Sequence, residues 1–324
     1  MIIKKINHCG IMPNYQCNAA CRHCLYACSM ERTGGYMSEA MMNEVCGTLK
    51  EAGCGNVHIG GGEPFLDFDG LVTLVQTATR HGIGVEYIET NAGWLTNAPD
   101  VAIQLQELVK AGAEAYCISM DPFHAEYIPT EKVMAMAAAC GAAGLNFFIW
   151  QERYQGSMGG VATNRPNSRA EIEKALGKDY IRKTAVEYGI KMGGRAINIE
   201  EEFWPCKSIE DVISNAPCKG LLSSNHCHVD MYNRFIPPGC TGIVIPLREI
   251  ISGLKPGQYP AFEALLSGGT ANLYKLATAH GFEPDERGYT STCGMCFHLR
   301  RHLSKREGFP ELDKEHYEQS LRYY

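Results

Sequence analysis

Three things that this chain lacks narrow its possibilities before any motif is read. It has no excess of positive charge. Lysine and arginine number 30 against 36 aspartates and glutamates, and the resulting formal charge of −6 argues against nucleic acid as the main partner. It has no apolar h-region, because Met1-Ile-Ile-Lys-Lys-Ile-Asn7 runs directly into a polar, cysteine-bearing segment, so no secretory signal is expected. It also has no unbroken apolar run of membrane length. Val133 to Trp150 comes nearest, but Gly141, Gly144 and Asn146 interrupt it, and that pattern predicts a helix turning into the strand Leu145–Trp150. The expectation is a cytoplasmic protein that contacts neither membrane nor nucleic acid.

What the chain does have is cysteine, 15 in 324 residues. Without a secretory signal, this number points to metal or redox chemistry in a reducing compartment rather than to a disulfide framework. Cys46, Cys54, Cys117 and Cys140 fall within or beside predicted helices and strands, where a thiol serves as a small buried hydrophobe. A hydrophobic content of 45% supplies a full core, and the length suits one large domain and a small one.

Apolar, β-branched or aromatic runs recur near residues 9–12, 56–59, 84–89, 115–119, 145–150 and 189–192. Helix-like segments at 38–52, 68–81, 98–111, 130–143 and 168–188 separate them. After a longer first interval the strands are about thirty residues apart, the repeat of a βα unit, and such alternation implies an α/β fold with a parallel sheet. Parallel barrels carry their chemistry on the loops at the C-terminal ends of strands. Those loops hold the segment with Cys17, Cys21 and Cys24, then Gly60–Pro64, Thr90-Asn91, Ser119-Met-Asp121, Gln151-Glu152-Arg153 and Gly194-Arg195.

The spacing Cys17-x3-Cys21-x2-Cys24 allows three thiolates to hold three irons of a [4Fe–4S] cluster and leave the fourth without a protein ligand. Zinc is the alternative for cysteines this close, and Cys28 would be its fourth ligand. The run Tyr15-Gln-Cys-Asn-Ala-Ala-Cys-Arg-His-Cys24 resembles the signature of the radical S-adenosylmethionine (SAM) superfamily, with His23 where many members have an aromatic residue. The resemblance implies an open (β/α)6 TIM-like partial barrel. It also implies SAM bound at the open iron and a 5′-deoxyadenosyl radical that abstracts hydrogen from substrate. An external reductant of flavodoxin or ferredoxin type would supply the electron.

The other rim segments extend the resemblance. Gly61-Gly62-Glu63-Pro64 resembles the family's GGEP element, whose backbone meets the amino group of SAM. Thr90-Asn91 resembles its Thr-Asn-Gly stretch, with Ala92 inserted before Gly93, and Asn91 offers a donor and an acceptor to a ribose. Ser119-Met-Asp121 resembles a Ser-Leu-Asp run whose serine contacts SAM and whose aspartate lies nearer the substrate, which makes Asp121 and His124 the catalytic candidates. Gly194-Arg195-Ala196 resembles a stretch found in relatives with extra clusters, where the guanidinium could pair with a carboxylate.

Near residue 200 the βα rhythm stops and cysteines return. Cys206 comes first, then Cys218, Cys227, Cys240, Cys293 and Cys296. Residues 228–239 predict a short β-hairpin, and the layout resembles the SPASM and twitch extensions that hold auxiliary clusters. The expected division is a barrel over 1–204 and a cysteine-rich domain with a basic helical tail over 205–324. Nothing cysteine-bearing follows Cys296, so one auxiliary [4Fe–4S] cluster is expected. Four thiolates saturate it, and the five candidates rank Cys240, Cys293 and Cys296, then Cys227, then Cys218. An all-thiolate zinc site remains open for the same residues. The resemblance implies an oxidoreductase or an enzyme that modifies a peptide or protein side chain by crosslinking, epimerisation or oxidation. The alternatives are a twitch-type dehydrogenase acting on a small-molecule alcohol and a non-catalytic zinc or iron–sulfur protein.

Overall fold

A computed structural model describes residues 3–96, 98–151 and 159–322. Its frame is five βα-type strands, β1 (His8–Met12), β2 (Asn56–Ile59), β3 (Gly84–Thr90), β4 (Tyr116–Ser119) and β5 (Phe147–Trp150). The helices α1 (Glu39–Glu51), α2 (Phe68–Arg80), α3 (Ala98–Ala111) and α4 (Thr130–Ala142) alternate with them. Ser38 and Asp67 start α1 and α2 by accepting from the backbone N–H of Met41 and Gly70, groups that would otherwise lack partners in the first turn.

All neighbouring pairs from β1 to β5 are parallel. Alternation along each strand sorts the two faces of the sheet. Cys9, Ile11, Val57, Ile59, Tyr116 and Ile118 are buried, and the Tyr116 hydroxyl donates to the Leu105 carbonyl of α3, which identifies theirs as the helix-covered face. The positions between them are His8, Gly10, His58, Cys117 and Ser119, and they face the concave interior.

The sixth strand is not where periodicity predicts it. Residues 189–192 form no strand. The predicted helix 168–188 is two helices, Arg169–Leu176 and Tyr180–Tyr188, and Gly189 closes the second in left-handed conformation. The sixth parallel strand is β6 (Cys227–Asp230), which pairs with β1 on the edge opposite β2. β6 then turns back as an antiparallel hairpin into β7 (Arg234–Ile236), followed by β8 (Ile245–Pro246). The open sheet has the order β5-β4-β3-β2-β1-β6-β7-β8, so the hairpin expected in a separate cysteine-rich domain extends the barrel sheet across the boundary placed at residue 204. Beyond it lie the helices Pro260–Ala279, Thr292–Leu303 and Lys314–Ser320. No helix among the described residues is long and apolar enough to cross a membrane.

Candidate active site

Cys17, Cys21 and Cys24 sit on the loop after β1 and line a cavity of ≈ 520 Å³ at the C-terminal ends of the strands. The same cavity is lined by Gly61, Gly62, Thr90, Asn91, Ser119, His124 and Arg195. Candidates spread over 179 residues of sequence, from Cys17 to Arg195, thus converge on one space. Pro64 and Asp121 are buried and do not line it, and Glu152 and Arg153 lie outside the described residues.

The loop glycines work through the cysteine loop. A Cβ on Gly62 would stand 2.0 Å from the Gln16 carbonyl oxygen, so only glycine lets the two loops pack together. Gly62 N–H donates to the Asn14 carbonyl at 3.1 Å and Glu63 N–H to that of Gln16 at 2.8 Å. The Glu63 carboxylate is buried and accepts from Thr90 Oγ1 at 2.9 Å, from the backbone N–H of Asn91 at 2.8 Å and from that of Phe65 at 3.2 Å. Burial pushes its pKa up to about 7 against these hydrogen bonds. Asn91 Nδ2 donates to Asn18 Oδ1 at 2.7 Å and lies 3.4 Å from Cys17 Sγ. Glu63 and Asn91 therefore brace the cysteine loop from the ends of two neighbouring strands.

Arg195 braces it from the other side. Its guanidinium is buried and donates to the carbonyls of Cys21 at 2.9 Å and Cys28 at 2.6 Å, while its backbone N–H donates to the Cys24 carbonyl. Cys28 is buried, and its N–H donates to Cys24 Sγ at 3.4 Å. Hydrogen bonding from Cys28 and the charge of Arg195 outweigh burial and hold the Cys24 thiol well below its ordinary range, which favours the thiolate that a metal needs.

His124 reaches the cavity, whereas Asp121 acts behind it. The Asp121 carboxylate accepts from the backbone N–H groups of Phe123 and His124 and pairs with His124 Nδ1 at 2.5 Å, and His23 Nε2 lies 3.6 Å away. Burial alone would raise Asp121, but the two histidines hold it well below the usual carboxylate range. Asp121 thus holds the His124 ring in place, and of the two only His124 lines the cavity.

Sequence reasoning missed the concave wall of the cavity, formed by His58, Tyr87, Glu89, Cys117, Phe148, Trp150, His226 and His228. Their signal was the period of two, polar or aromatic residues at alternate positions of otherwise apolar strands. Burial pushes Glu89 up to about 7 and His228 down to about 3, and it holds His58 well below its ordinary value.

In the C-terminal segment the structure brings Cys218, Cys240, Cys293 and Cys296 close enough together that a thiolate at one would raise the pKa of another. Burial and these neighbours push Cys240 up to about 12, although Arg300 lowers it. Cys293 and Cys296 occupy the first turns of the helix Thr292–Leu303. Cys227 is elsewhere, buried in β6 opposite Cys9, because it sits between His226 and His228 in a strand and must face the helix side. Arg300, on the stretch expected to be solvated, is buried and donates to the Thr241 carbonyl at 2.8 Å.

The donor chemistry fits iron–sulfur clusters at both places. Three cysteines open on a ligand-sized cavity, and four others form a set beside a buried guanidinium.

Comparison with known proteins agrees for the N-terminal half. Residues 11–150 match the family model of the Radical SAM superfamily, which identifies that segment as a radical SAM domain. The chain is 38% identical over 91 residues to the mycofactocin maturase MftC of Mycobacterium tuberculosis (strain ATCC 25618 / H37Rv), a match covering 28% of this chain and 22% of that protein. It thus spans about a fifth of the length of that relative. Among solved structures it is similar to BtrN in complex with AdoMet and 2-DOIA (17% identity, TM-score 0.41, 74% of this chain and 75% of that one). It is also similar to SuiB of Streptococcus suis bound to S-adenosylmethionine (13% identity, TM-score 0.41, 91% and 78%).

Proposed function

We propose that this protein is a radical SAM enzyme with one auxiliary [4Fe–4S] cluster, and that it modifies a side chain of a peptide or protein. One observation carries the reading: Cys17, Cys21 and Cys24 share a single cavity with the backbone of Gly61-Gly62 and the side chains of Asn91, Ser119 and His124. When bound, the three-cysteine cluster and SAM supply a carbon radical that abstracts hydrogen. The chain's own work is to hold and shield that site. Cys17, Cys21 and Cys24 would ligate the cluster, Gly61-Gly62 would present backbone to SAM, and Asn91 and Ser119 would offer hydrogen bonds to it. Arg195 and Glu63 fix the loop, and His124, oriented by Asp121, lines the cavity and would face the ligands once bound. Cys218, Cys240, Cys293 and Cys296 would ligate the auxiliary cluster, with Arg300 balancing its charge.

Two features support a peptide substrate. The partial relative is a maturase, and edge strand β5 brings the exposed Phe148 and Trp150 to the cavity, apolar surface suited to an extended chain. The test is SAM cleavage by reduced, reconstituted protein, followed by mass analysis of candidate precursor peptides encoded beside the gene. Formation of 5′-deoxyadenosine that vanishes in a Cys17→Ala, Cys21→Ala, Cys24→Ala variant supports the chemistry. A mass change in such a peptide supports the substrate class, and turnover of a small alcohol instead would replace it.

A further inference from the structure

The concave face of the sheet carries a further donor set, distinct from either group of cysteines. His8 of β1, His58 of β2 and His226, the residue before β6, each place a ring nitrogen within 4.8 Å of the others. His8 Nδ1 and His226 Nδ1 face each other at 3.0 Å, close to the spacing of two imidazole nitrogens sharing one ion at about 2.0 Å. The rings of His58 and His226 lie within 3° of parallel. The space for them is built into β1, where a Cβ on Gly10 would stand 2.5 Å from the His58 ring and 2.4 Å from that of His228.

We propose that His8, His58 and His226 bind one divalent first-row transition ion, with Glu86 orienting His8. The Glu86 carboxylate meets His8 Nε2 at 3.1 Å, the carboxylate–histidine pairing that fixes a metal ligand's ring and tautomer, and it leaves Nδ1 turned toward His226. His58 is buried and its Nδ1 has no hydrogen-bond partner, an unmet need that a metal or a proton donor would satisfy. Imidazole sets select zinc, iron, cobalt, nickel or copper over magnesium and calcium. His226 is exposed, which gives an ion access, while His58 and His226 also line the large cavity. Three imidazoles leave a tetrahedral ion one position for an outside ligand. The site also joins the first strand of the chain to one more than two hundred residues later, so the ion would clip β6 to β1 and β2.

Zinc is the probe. Reconstituted protein with its full iron content is treated with a mild chelator, given zinc and desalted. One zinc per chain is expected with iron unchanged. Its X-ray absorption should show imidazole nitrogen at about 2.0 Å and no sulfur shell at about 2.3 Å. His226→Gln and His8→Gln should each release the zinc, and Glu86→Gln should weaken its binding roughly ten-fold. Zinc should raise the melting temperature of the wild type but not that of the double histidine variant. Equal zinc retention by the double variant, a sulfur-dominated shell, or no zinc bound by the wild type would each overturn the proposal.

Discussion

The phenol of Tyr15 donates to the Asp230 carboxylate at 2.9 Å, joining the approach to the cysteine loop to the end of β6 across 215 residues of chain. Arg234 Nε reaches the same carboxylate at 2.8 Å, and the Arg32 guanidinium lies 4.2 Å from the centre of the Tyr15 ring. Burial raises the Tyr15 hydroxyl well above its ordinary value, so it stays a donor. Tyr15→Phe should therefore lower unfolding free energy by about 1–2 kcal/mol. Denaturant titration checks this, and an unchanged midpoint would show that Arg234 and the Tyr232 N–H satisfy Asp230 without the phenol.

Iron content should separate the two cysteine sets. Wild-type protein should hold about eight irons, roughly four per cluster. The Cys17→Ala, Cys21→Ala, Cys24→Ala variant and the Cys293→Ala, Cys296→Ala variant should each keep about half. Cys218→Ala should behave like the second of these, whereas Cys227→Ala should keep all its iron and lose only packing. The reverse pattern for Cys218 and Cys227 would show that β6 rearranges to bring its thiol to the cluster.

Ser119 and Asn91 share a cavity but should fail differently. If Ser119 contacts SAM as proposed, Ser119→Ala should cost one hydrogen bond, on the order of 1 kcal/mol or about five-fold in affinity, with iron retained. Asn91→Ala also removes the bond to Asn18 that braces the cysteine loop, so iron should leave that cluster faster under a chelator. Isothermal titration with SAM and timed iron release distinguish the two.

Acid should destabilise the protein partly through His316, which is buried beside Gly242. Burial and then the Arg32 charge hold its pKa below the ordinary value. The unfolded chain therefore binds a proton that the folded one refuses, so stability is lost as pH falls below about 6.5. His316→Gln should flatten the dependence of melting temperature on pH between about 6.5 and the folded-state value of about 3. An identical slope in wild type and variant would assign the acid lability to other groups.

What was legible in the sequence was local. The cysteine spacing, the glycines that must pass close to another backbone and the thirty-residue rhythm each depend on a few neighbouring residues, and β1 to β5 with their helices follow that reading. What was not legible depends on which distant strand pairs with which. Ile190-Lys-Met192 has the alternation of a strand, yet glycines at 189, 193 and 194 punctuate it and it pairs with no strand among the described residues. Sequence alone orders Cys227 ahead of Cys218 as a cluster candidate, and the structure reverses that order. The register that sets Cys227 opposite Cys9 is a fact of the sheet, and no local pattern contains it. The four interior histidines stayed unseen for a related reason: His8, His58, His226 and His228 are far apart in sequence and meet only through strand order.

That strand order also sets a timetable. β1 leaves the ribosome long before β6, yet it ends in the middle of the sheet, and its second edge stays bare until β6 has been made. Through the synthesis of roughly two hundred intervening residues it presents unpaired backbone to whatever is nearby, a standing invitation to intermolecular pairing. The cysteine loop that follows it also waits for Arg195 before it is fully braced. Cluster insertion into a nascent or truncated chain should accordingly be inefficient, and a fragment ending near residue 204 should aggregate, because its most central strand would have become an edge.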